Sequence, residues 1–364
     1  MLTRLKTYAL ACVAPVLLLG SMLAAGTAHA QALVKVTPIG SHSGELCARD
    51  RALLFEDPTG VRILYDPGQT TDETDPRLGD VHVILLSHAH VDHIGGSRPS
   101  RGGGTCAAPA VGAANSNSNV ATIAAAKSAA IMTANEVNIF LAGKLQAIRG
   151  LSTSACLTGG LENEITVPTS SPCTATLGVG GVRTVRRGGA PTSVQITGVQ
   201  ATHSNTIPPA LIDPPGLPPG ISAYGGVAEG FVVRFTNGLT AYLTGDTGMF
   251  ADMGQVISRF YKPNLMVINM GPGGNGPNSI GPEDAGTVVL QLVRPTTVMP
   301  SHVGEQATSG GKVLGNTWTE RFTSQVRTVR KSFDSLSEFI EVVLPLSDIT
   351  LTFDGQGRCV GCPR

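Results

Sequence analysis

The feature that most constrains this chain is an apolar run that ends in a cluster of histidines. Residues 81–87, VHVILLS, are rich in valine, isoleucine and leucine, as in a β-strand that is buried on both faces. Residues 88–93, HAHVDH, follow at once and hold three of the eight histidines in the chain. The cluster is therefore predicted to lie on a loop at the carboxyl end of a buried strand.

The spacing within this cluster is typical of a metal site. Alternate residues of an extended loop point the same way, so the side chains of His88 and His90 can converge on one ion. Asp92 and His93 then face a neighbouring point, and imidazole and carboxylate groups together suit zinc, manganese or iron. Further candidate ligands follow later predicted strands, namely His203, Asp246 and His302. Any one of these histidines alone would more often be a hydrogen-bonded side chain, whereas the whole combination predicts a dinuclear metal site.

The rest of the chain alternates predicted strands with predicted helices, which indicates a layered α/β architecture. Short apolar runs broken by Gly, Pro and Asp predict strands between residues 32 and 66. Residues 121–148 predict a helix, a short break near 131–133 and a second helix. Two segments predict insertions: 97–117 as a flexible one, and 152–193 as a surface excursion pinned by a disulfide.

The first thirty residues have the pattern of a secretory signal peptide. Arg4 and Lys6 precede an apolar run, and Ala28-His29-Ala30 matches the small-x-small pattern of a cleavage site. We therefore expect an exported protein, periplasmic or secreted, cleaved near Ala30 to leave a single domain over 31–364; an uncleaved anchor is the alternative. No later stretch has 18 apolar residues in succession, so we expect no membrane span in the mature chain.

Export makes disulfide bonds the default interpretation of the cysteines. The cysteines after residue 30 are even in number: Cys47, Cys106, Cys156, Cys173, Cys359 and Cys362. Their spacing does not choose among the pairings that such a set allows. Cys359 and Cys362 could instead form half of a zinc site, although the sequence contains no second pair of this spacing.

Charge and composition limit the kind of molecule that this chain is expected to bind. The chain has 26 basic and 26 acidic residues, so it lacks the positive surplus expected of a nucleic-acid-binding protein. Charged residues amount to 14% and glycine is abundant, which fits a compact, loop-rich globular protein. We expect a small-molecule substrate and no nucleic acid, and the sequence leaves the oligomeric state open.

The order of the ligand-type residues resembles the metallo-β-lactamase superfamily. Within it, the branch of metal-dependent hydrolases similar to ascorbate-6-phosphate lactonase is the closer match. The segments ILYDPG, residues 63–68, and YGGVAEGFVVRFTNGLTAYLTGDTG, residues 224–248, carry that resemblance. The resemblance implies an α/β fold, a four-layer αβ/βα sandwich in which two mixed β-sheets are flanked by helices, with a metal site at one edge.

The resemblance also implies a role for each ligand. Two sets of three side chains would each hold one divalent ion: His88, His90 and His203 for the first, and Asp92, His93 and His302 for the second. Asp246 would bridge the two ions. Asp66 would lie behind the metal loop and steady it, and His42, near a loosely matching Gly-His-Ser motif, could do the same.

These roles predict a hydrolase with two metal ions, zinc or alternatively manganese. Metal coordination lowers the pKa of bound water to about 7, so hydroxide is available at neutral pH. Asp92 would orient the hydroxide and take its proton, and Ser204 or Tyr224 could serve the leaving group. The predicted substrate is a lactone or related carboxylic ester. A phosphodiester, a β-lactam, a non-catalytic metal-binding protein and a di-iron oxidoreductase are the alternatives.

Overall fold

The computed structural model describes residues 32–113, 118–159, 163–212, 221–271, 279–332 and 340–362. The predicted signal peptide, including the expected cleavage site at Ala30, lies outside these ranges.

The strands are, in chain order, β1 (Val34–Pro38), β2 (Leu53–Glu56), β3 (Arg62–Tyr65), β4 (Val83–Leu85), β5 (Ser97–Gly104), β6 (Pro109–Ala113), β7 (Ala130–Thr133), β8 (Ile165–Val167), β9 (Cys173–Thr176), β10 (Val182–Arg187), β11 (Val194–Gln200), β12 (Thr206–Ile207), β13 (Ala223–Tyr224), β14 (Glu229–Arg234), β15 (Thr240–Leu243), β16 (Leu265–Asn269), β17 (Thr297–Ser301), β18 (Thr308–Ser309), β19 (Lys312–Val313), β20 (Glu341–Val342) and β21 (Leu351–Phe353). The α-helices are α1 (Val91–Ile94), α2 (Asn119–Lys127), α3 (Asn135–Arg149), α4 (Pro282–Thr287) and α5 (Trp318–Ser332). Two π-helical segments are π1 (Met253–Tyr261) and π2 (Val288–Val293), and single 3₁₀ turns are Pro76–Leu78 and Pro209–Leu211.

Two mixed sheets form the centre of the fold. The first has the order β21-β1-β2-β3-β4-β7-β9 and the second has the order β20-β17-β16-β15-β14-β11-β10-β8. In the first sheet β3, β4, β7 and β9 are parallel, and in the second β15, β16, β17 and β20 are parallel. The remaining pairs are antiparallel, except that β8 is parallel to β10 at the far edge of the second sheet. The two inner faces share one apolar core, in which Phe55 stacks on Phe235 and Tyr65 meets Phe231 edge to face.

Helices cover the outer face of each sheet. The apolar sides of α2 and α3 pack on the first sheet through Val120, Leu141 and Leu145. The segments π1, α4, π2 and α5 pack on the second sheet, where Phe322 is fully buried. The central parallel strands are therefore covered on both faces, which is why they are apolar throughout their length. The predicted four-layer αβ/βα sandwich is confirmed.

A central strand lies where the sequence predicted only a break between two helices. β7 occupies 130–133, pairs in parallel with β4 and β9, and is buried at every position. The two predicted helices are confirmed as α2 and α3. Local composition around residue 130 favours a helix, but pairing on both sides with apolar strands determines the structure there.

The two predicted insertions are more regular than expected. Residues 97–113 form the antiparallel hairpin of β5 and β6, so the prediction of a flexible segment was wrong for this part. Between 152 and 193, β9 forms the edge of the first sheet while β8 and β10 extend the second. The prediction of a surface excursion was therefore wrong for these strands. Their valine, isoleucine and threonine residues suit the edge of a sheet.

The cysteines lie in pairs with their sulfur atoms at bonding distance: Cys47 with Cys106, Cys156 with Cys173, and Cys359 with Cys362. In the described part of the chain, the last pair is not grouped with other metal-ligating side chains. Across the same residues, every helix is too short or too polar to cross a bilayer.

Candidate metal centre

The histidine cluster is held on a short loop and one helical turn that follow β4. His90 is the extended residue before α1, and Gly95 ends that helix in the left-handed conformation with φ of 77°. A Cβ atom at Gly95 would lie 2.5 Å from the Gly68 carbonyl oxygen and from Asn119 Cβ, so only glycine fits here. The tight turn places His88, on its amino-terminal side, and His93, within it, against the same point.

The structure brings all of the predicted ligands together. Their potential ligand atoms form three groups, each within 4.8 Å: His88, His90 and His203; His88, His93 and Asp246; and Asp92, His93 and His302. The first and third groups coincide with the two ligand sets that the sequence resemblance implied. We call them the first position and the second position.

Asp246 lies between the two positions. Its Oδ2 atom is 3.4 Å from Nε2 of both His93 and His302, and 3.8 Å from Nε2 of His203. One carboxylate oxygen therefore faces ligands of both positions, as a bridging ligand would. Asn269 at the end of β16 donates to the other oxygen, Oδ1, at 3.1 Å and fixes the orientation of the carboxylate.

The donor atoms fit a divalent metal ion. Nε2 of His88 and Nε2 of His93 are buried and make no hydrogen bond within the described part of the chain. A buried polar atom without a partner is costly and uncommon, and a nitrogen lone pair directed at a metal ion removes that cost. The five imidazoles and two carboxylates of the three groups also match the ligand preference of zinc.

Sequence and structural similarities agree with this geometry. Residues 52–101 match the family model described as the metallo-β-lactamase superfamily. Over this segment the chain is similar to the metallo-β-lactamase superfamily.

Relatives of known sequence are similar over most of the chain. A UPF0173 metal-dependent hydrolase of Cupriavidus necator is 29% identical over 311 residues, which covers 83% of this chain and 87% of that protein. A second, from Cupriavidus metallidurans, is 29% identical over 254 residues and covers 68% of each chain. Igni18, described as a novel metallo hydrolase from Ignicoccus hospitalis, has a similar fold, with a TM-score of 0.52 and 19% identity over 88% of this chain and 99% of that one.

Behind the candidate ligands, the carboxylate of Asp66 contacts the loop that carries the histidine cluster. Its Oδ1 accepts from the backbone N–H of Ser87, and its Oδ2 accepts from the Ser87 hydroxyl and lies 2.8 Å from Nδ1 of His93. A proton on Nδ1 of His93 leaves Nε2 free to bind metal. His42 is different, because its ring contacts the Ser41 hydroxyl and it belongs to none of the three groups.

Two ligand-bearing turns have an unusual backbone. Asp66 has φ of 39° and His302 has φ of 55°, both in the left-handed region that residues other than glycine seldom adopt. Such a conformation costs about 1–3 kcal/mol and persists only where the surroundings impose it. Both residues lie at the metal centre, where this backbone directs their side chains toward it.

The charges at the centre are arranged to receive a cation. Burial lowers the pKa of His88 well below its ordinary value, which keeps this imidazole neutral and able to bind metal. Burial also acts to lower the pKa of His93, but the carboxylates of Asp246, Asp66 and Asp92 outweigh it and raise that pKa to about 10. The same three carboxylates would stabilise a divalent cation bound at His93.

Several supporting residues were not predicted from the sequence. Asn205, two residues after His203, accepts from the N–H of Ala89 with Oδ1 and donates with Nδ2 to the Gly225 carbonyl, so it ties three loops together. Ser87 and Asn269 could have been found as polar residues at the ends of apolar strands. Arg51, which contacts Asp92 Oδ2, has no such signal.

Of the two candidates for the leaving-group proton, Ser204 has a contact with the first position. Ser204 Oγ is 3.5 Å from Nε2 of His90. Tyr224, in β13, has 68% of its surface exposed. Ser204 is therefore the candidate with a measured contact to a ligand, and both remain predictions.

Proposed function

We propose that this chain is an exported metal-dependent hydrolase that cleaves an ester-type bond, with a lactone or related carboxylic ester as the substrate class. The observation that carries the proposal is the complete ligand set around Asp246, with buried Nε2 atoms of His88 and His93 that make no hydrogen bond within the described residues. A protein that had kept the fold but lost the activity would be expected to have lost a ligand. The similarity to metal-dependent hydrolases supports the same reaction class.

Two divalent ions, zinc or manganese, would supply an activated water and polarise the scissile carbonyl. His88, His90 and His203 would hold the first ion, and the second position would hold the other. Asp92 and Asp246 provide two negative charges against four positive ones, so the loaded site stays cationic and favours an electron-rich carbonyl group.

The chain's own residues position these groups. Asp66 fixes the tautomer of His93, and Asn269 fixes the carboxylate of Asp246. The side chain of Asp92 is 32% exposed, so it reaches the open side of the centre. We assign to Asp92 the orientation of the attacking water.

The proposal includes export, because the signal-like start of the chain and the paired cysteines both suit an oxidising compartment. Disulfide bonds between Cys47 and Cys106 and between Cys156 and Cys173 belong to this proposal. The absence of a positive charge surplus supports a small-molecule substrate rather than a nucleic acid.

The test uses the mature chain from Gln31, loaded with zinc or with manganese. Initial rates are measured on a panel of lactones and on an aryl phosphodiester, each with and without chelator. We expect chelator-sensitive lactone opening, and its loss in His88→Ala and Asp246→Ala. His82→Gln is the matched control, since His82 lies outside the centre and accepts only from the Arg62 N–H through Nδ1.

Each outcome has a distinct meaning. Wild-type rates in His88→Ala or Asp246→Ala would refute the site. Phosphodiester cleavage without lactone opening would keep the site and refute the substrate class. Bound metal with no turnover on either panel would favour the binding-protein alternative.

A further inference from the structure

An arginine that the proposed reaction does not use lies directly against a metal ligand. Arg51, two residues before β2, has a side chain that is 5% exposed, and its Nη1 contacts Oδ2 of Asp92. Its Nε atom is buried and makes no hydrogen bond within the described residues. Such burial leaves the guanidinium almost no surface to offer a substrate.

Neighbouring backbone atoms confine the Arg51 side chain to the conformation that reaches Asp92. A Cβ atom at Gly68 would lie 2.9 Å from both Cγ and Cδ of Arg51 and 2.8 Å from the Asp92 carbonyl oxygen. Gly68 has φ of 59°, and its N–H donates to the His93 carbonyl, so the turn that carries it is fixed to the metal loop. Because Gly68 has no side chain, the Arg51 side chain has room to reach Asp92.

The oxygen that Arg51 contacts is the one that the second position needs. Asp92 Oδ2 lies 3.1 Å from Nε2 of His302 and 3.7 Å from Nε2 of His93. The guanidinium and a cation at the second position would therefore share one carboxylate oxygen. The guanidinium also places a permanent positive charge beside that position, because arginine does not lose its proton in proteins.

The first position has a different environment, because it consists of three imidazoles. Asp246, the carboxylate that faces both positions, forms ion pairs only with histidines among the described residues, and it accepts a hydrogen bond from the neutral amide of Asn269. A neutral imidazole can bind a metal ion without repelling it, whereas the guanidinium cannot give up its charge.

We propose that Arg51 is a positioning residue that competes with the second metal ion for Asp92, so that the second position fills at higher metal concentration than the first. This inference rests on the proposed metal centre. Occupation of both positions would then depend on the metal concentration, and the Arg51 side chain would be the cause of that dependence. Binding at the second position must weaken a charge-assisted hydrogen bond and overcome repulsion by the guanidinium, and the first position has neither cost.

The direction of the effect separates competition from simple support. If Arg51 only held Asp92 in place, its removal would weaken the second position. If Arg51 competes, its removal strengthens that position and leaves the first unchanged.

The experiment measures metal affinity rather than turnover. Chelator-stripped mature protein is titrated with zinc against a chromophoric chelator, which yields one dissociation constant for each position. The wild type should show two constants that differ by about tenfold or more, the scale set by one hydrogen bond between charged partners. In Arg51→Met the weaker constant should tighten by about tenfold, whereas Arg51→Lys, which keeps the charge, should stay close to the wild type.

Matched controls keep the result interpretable. Arg62→Met removes another arginine that pairs with a carboxylate, Glu56, but lies away from the centre, and it should change neither constant. The constant of the first position reports the integrity of each variant. If Arg51→Met does not fold, Arg51→Gln replaces it, because glutamine is uncharged and can still donate to Asp92.

The outcomes separate this inference from the proposed function. A second position that is weaker or unchanged in the uncharged variants, or two equal constants in the wild type, would overturn the competition and leave the metal centre intact. No zinc at either position would overturn both.

Discussion

At the scale of single residues, the histidines of this chain differ in what their ring nitrogens meet. His82 Nδ1 accepts from the Arg62 N–H and His42 Nδ1 contacts the Ser41 hydroxyl, so both have ordinary partners. His88 and His93 are instead buried, and their Nε2 atoms make no hydrogen bond in the described structure. At these two histidines, burial without a hydrogen bond distinguishes the candidate ligands from His42 and His82.

The carboxylate of Asp66 provides the first prediction at this scale. Asp66→Asn should weaken zinc binding at the second position by about 10- to 100-fold, because an amide cannot accept from Ser87 and His93 together. The zinc titration measures this, with Asp57→Asn as control. Asp57 is equally buried but accepts from Thr59 and Thr236. An unchanged second constant would show that Asp66 does not orient His93.

A buried acid near the centre provides a second prediction. Burial, and then the charge of Glu136, raise the pKa of Glu229 to about 8 from an ordinary 4.5. The folded chain therefore binds a proton that the unfolded chain releases, so stability falls as pH rises from about 4.5 to about 8.

The substitution Glu229→Gln should remove this fall in stability with rising pH. Chemical denaturation in the presence of chelator should show similar stabilities near pH 4.5, and a variant more stable on the order of 3 kcal/mol at pH 9. Glu136→Gln should give a smaller change of the same sign. A Glu229→Gln variant that loses stability in parallel with the wild type would contradict the burial of a neutral acid.

At the scale of secondary-structure elements, the hairpin of β5 and β6 shows how an exposed segment is fixed. Gly102 N–H donates to the Ser41 carbonyl, and Ala48 N–H donates to the Cys106 carbonyl. The sulfur atoms of Cys47 and Cys106 lie at bonding distance across the same contact. The hairpin is thereby attached to the loop that leads into Arg51.

The two long-range cysteine pairs should contribute unequally to stability. Cys47 and Cys106 are 59 residues apart and Cys156 and Cys173 are 17 apart, so loop-closure entropy gives about 4 and about 3 kcal/mol. The variant Cys47→Ala/Cys106→Ala should therefore be less stable than Cys156→Ala/Cys173→Ala by about 1 kcal/mol in urea unfolding. Equal stability in the two variants and the wild type would show that the bonds do not form.

At the scale of the whole molecule, the metal centre joins the two sheets. The loop after β4 belongs to the first sheet, and His203, Asp246 and His302 follow strands of the second. A metal ion bound there would cross-link the two halves of the sandwich. Binding to the folded state alone stabilises it by mass action.

Metal removal should therefore lower the melting temperature. With free zinc at 100 times its dissociation constant, one site adds about 2.7 kcal/mol, which corresponds to a rise of about 5 °C or more. Calorimetry with zinc and with chelator measures the difference. Asp246→Ala should show a smaller zinc-induced rise than the wild type, and an undiminished rise in that variant would place the stabilising metal elsewhere.

The sequence alone determined the layered α/β class, the strand that precedes the metal loop and the identity of each candidate ligand. Spacing suffices for these features because a buried strand and an HxHxDH loop each leave a local pattern. The order His203, Asp246 and His302 was recoverable because each follows an apolar strand.

Only the tertiary structure decided which distant groups meet. β7 is a strand because β4 and β9 pair with it, and the Thr-rich residues of β9 join a sheet because its edge was open to them. The pairing of the cysteines and the contact of Arg51 with Asp92 link residues far apart in the chain. Such contacts depend on how the sheets pack. That packing results from many weak apolar contacts between distant segments, so it cannot be predicted from any short stretch of sequence.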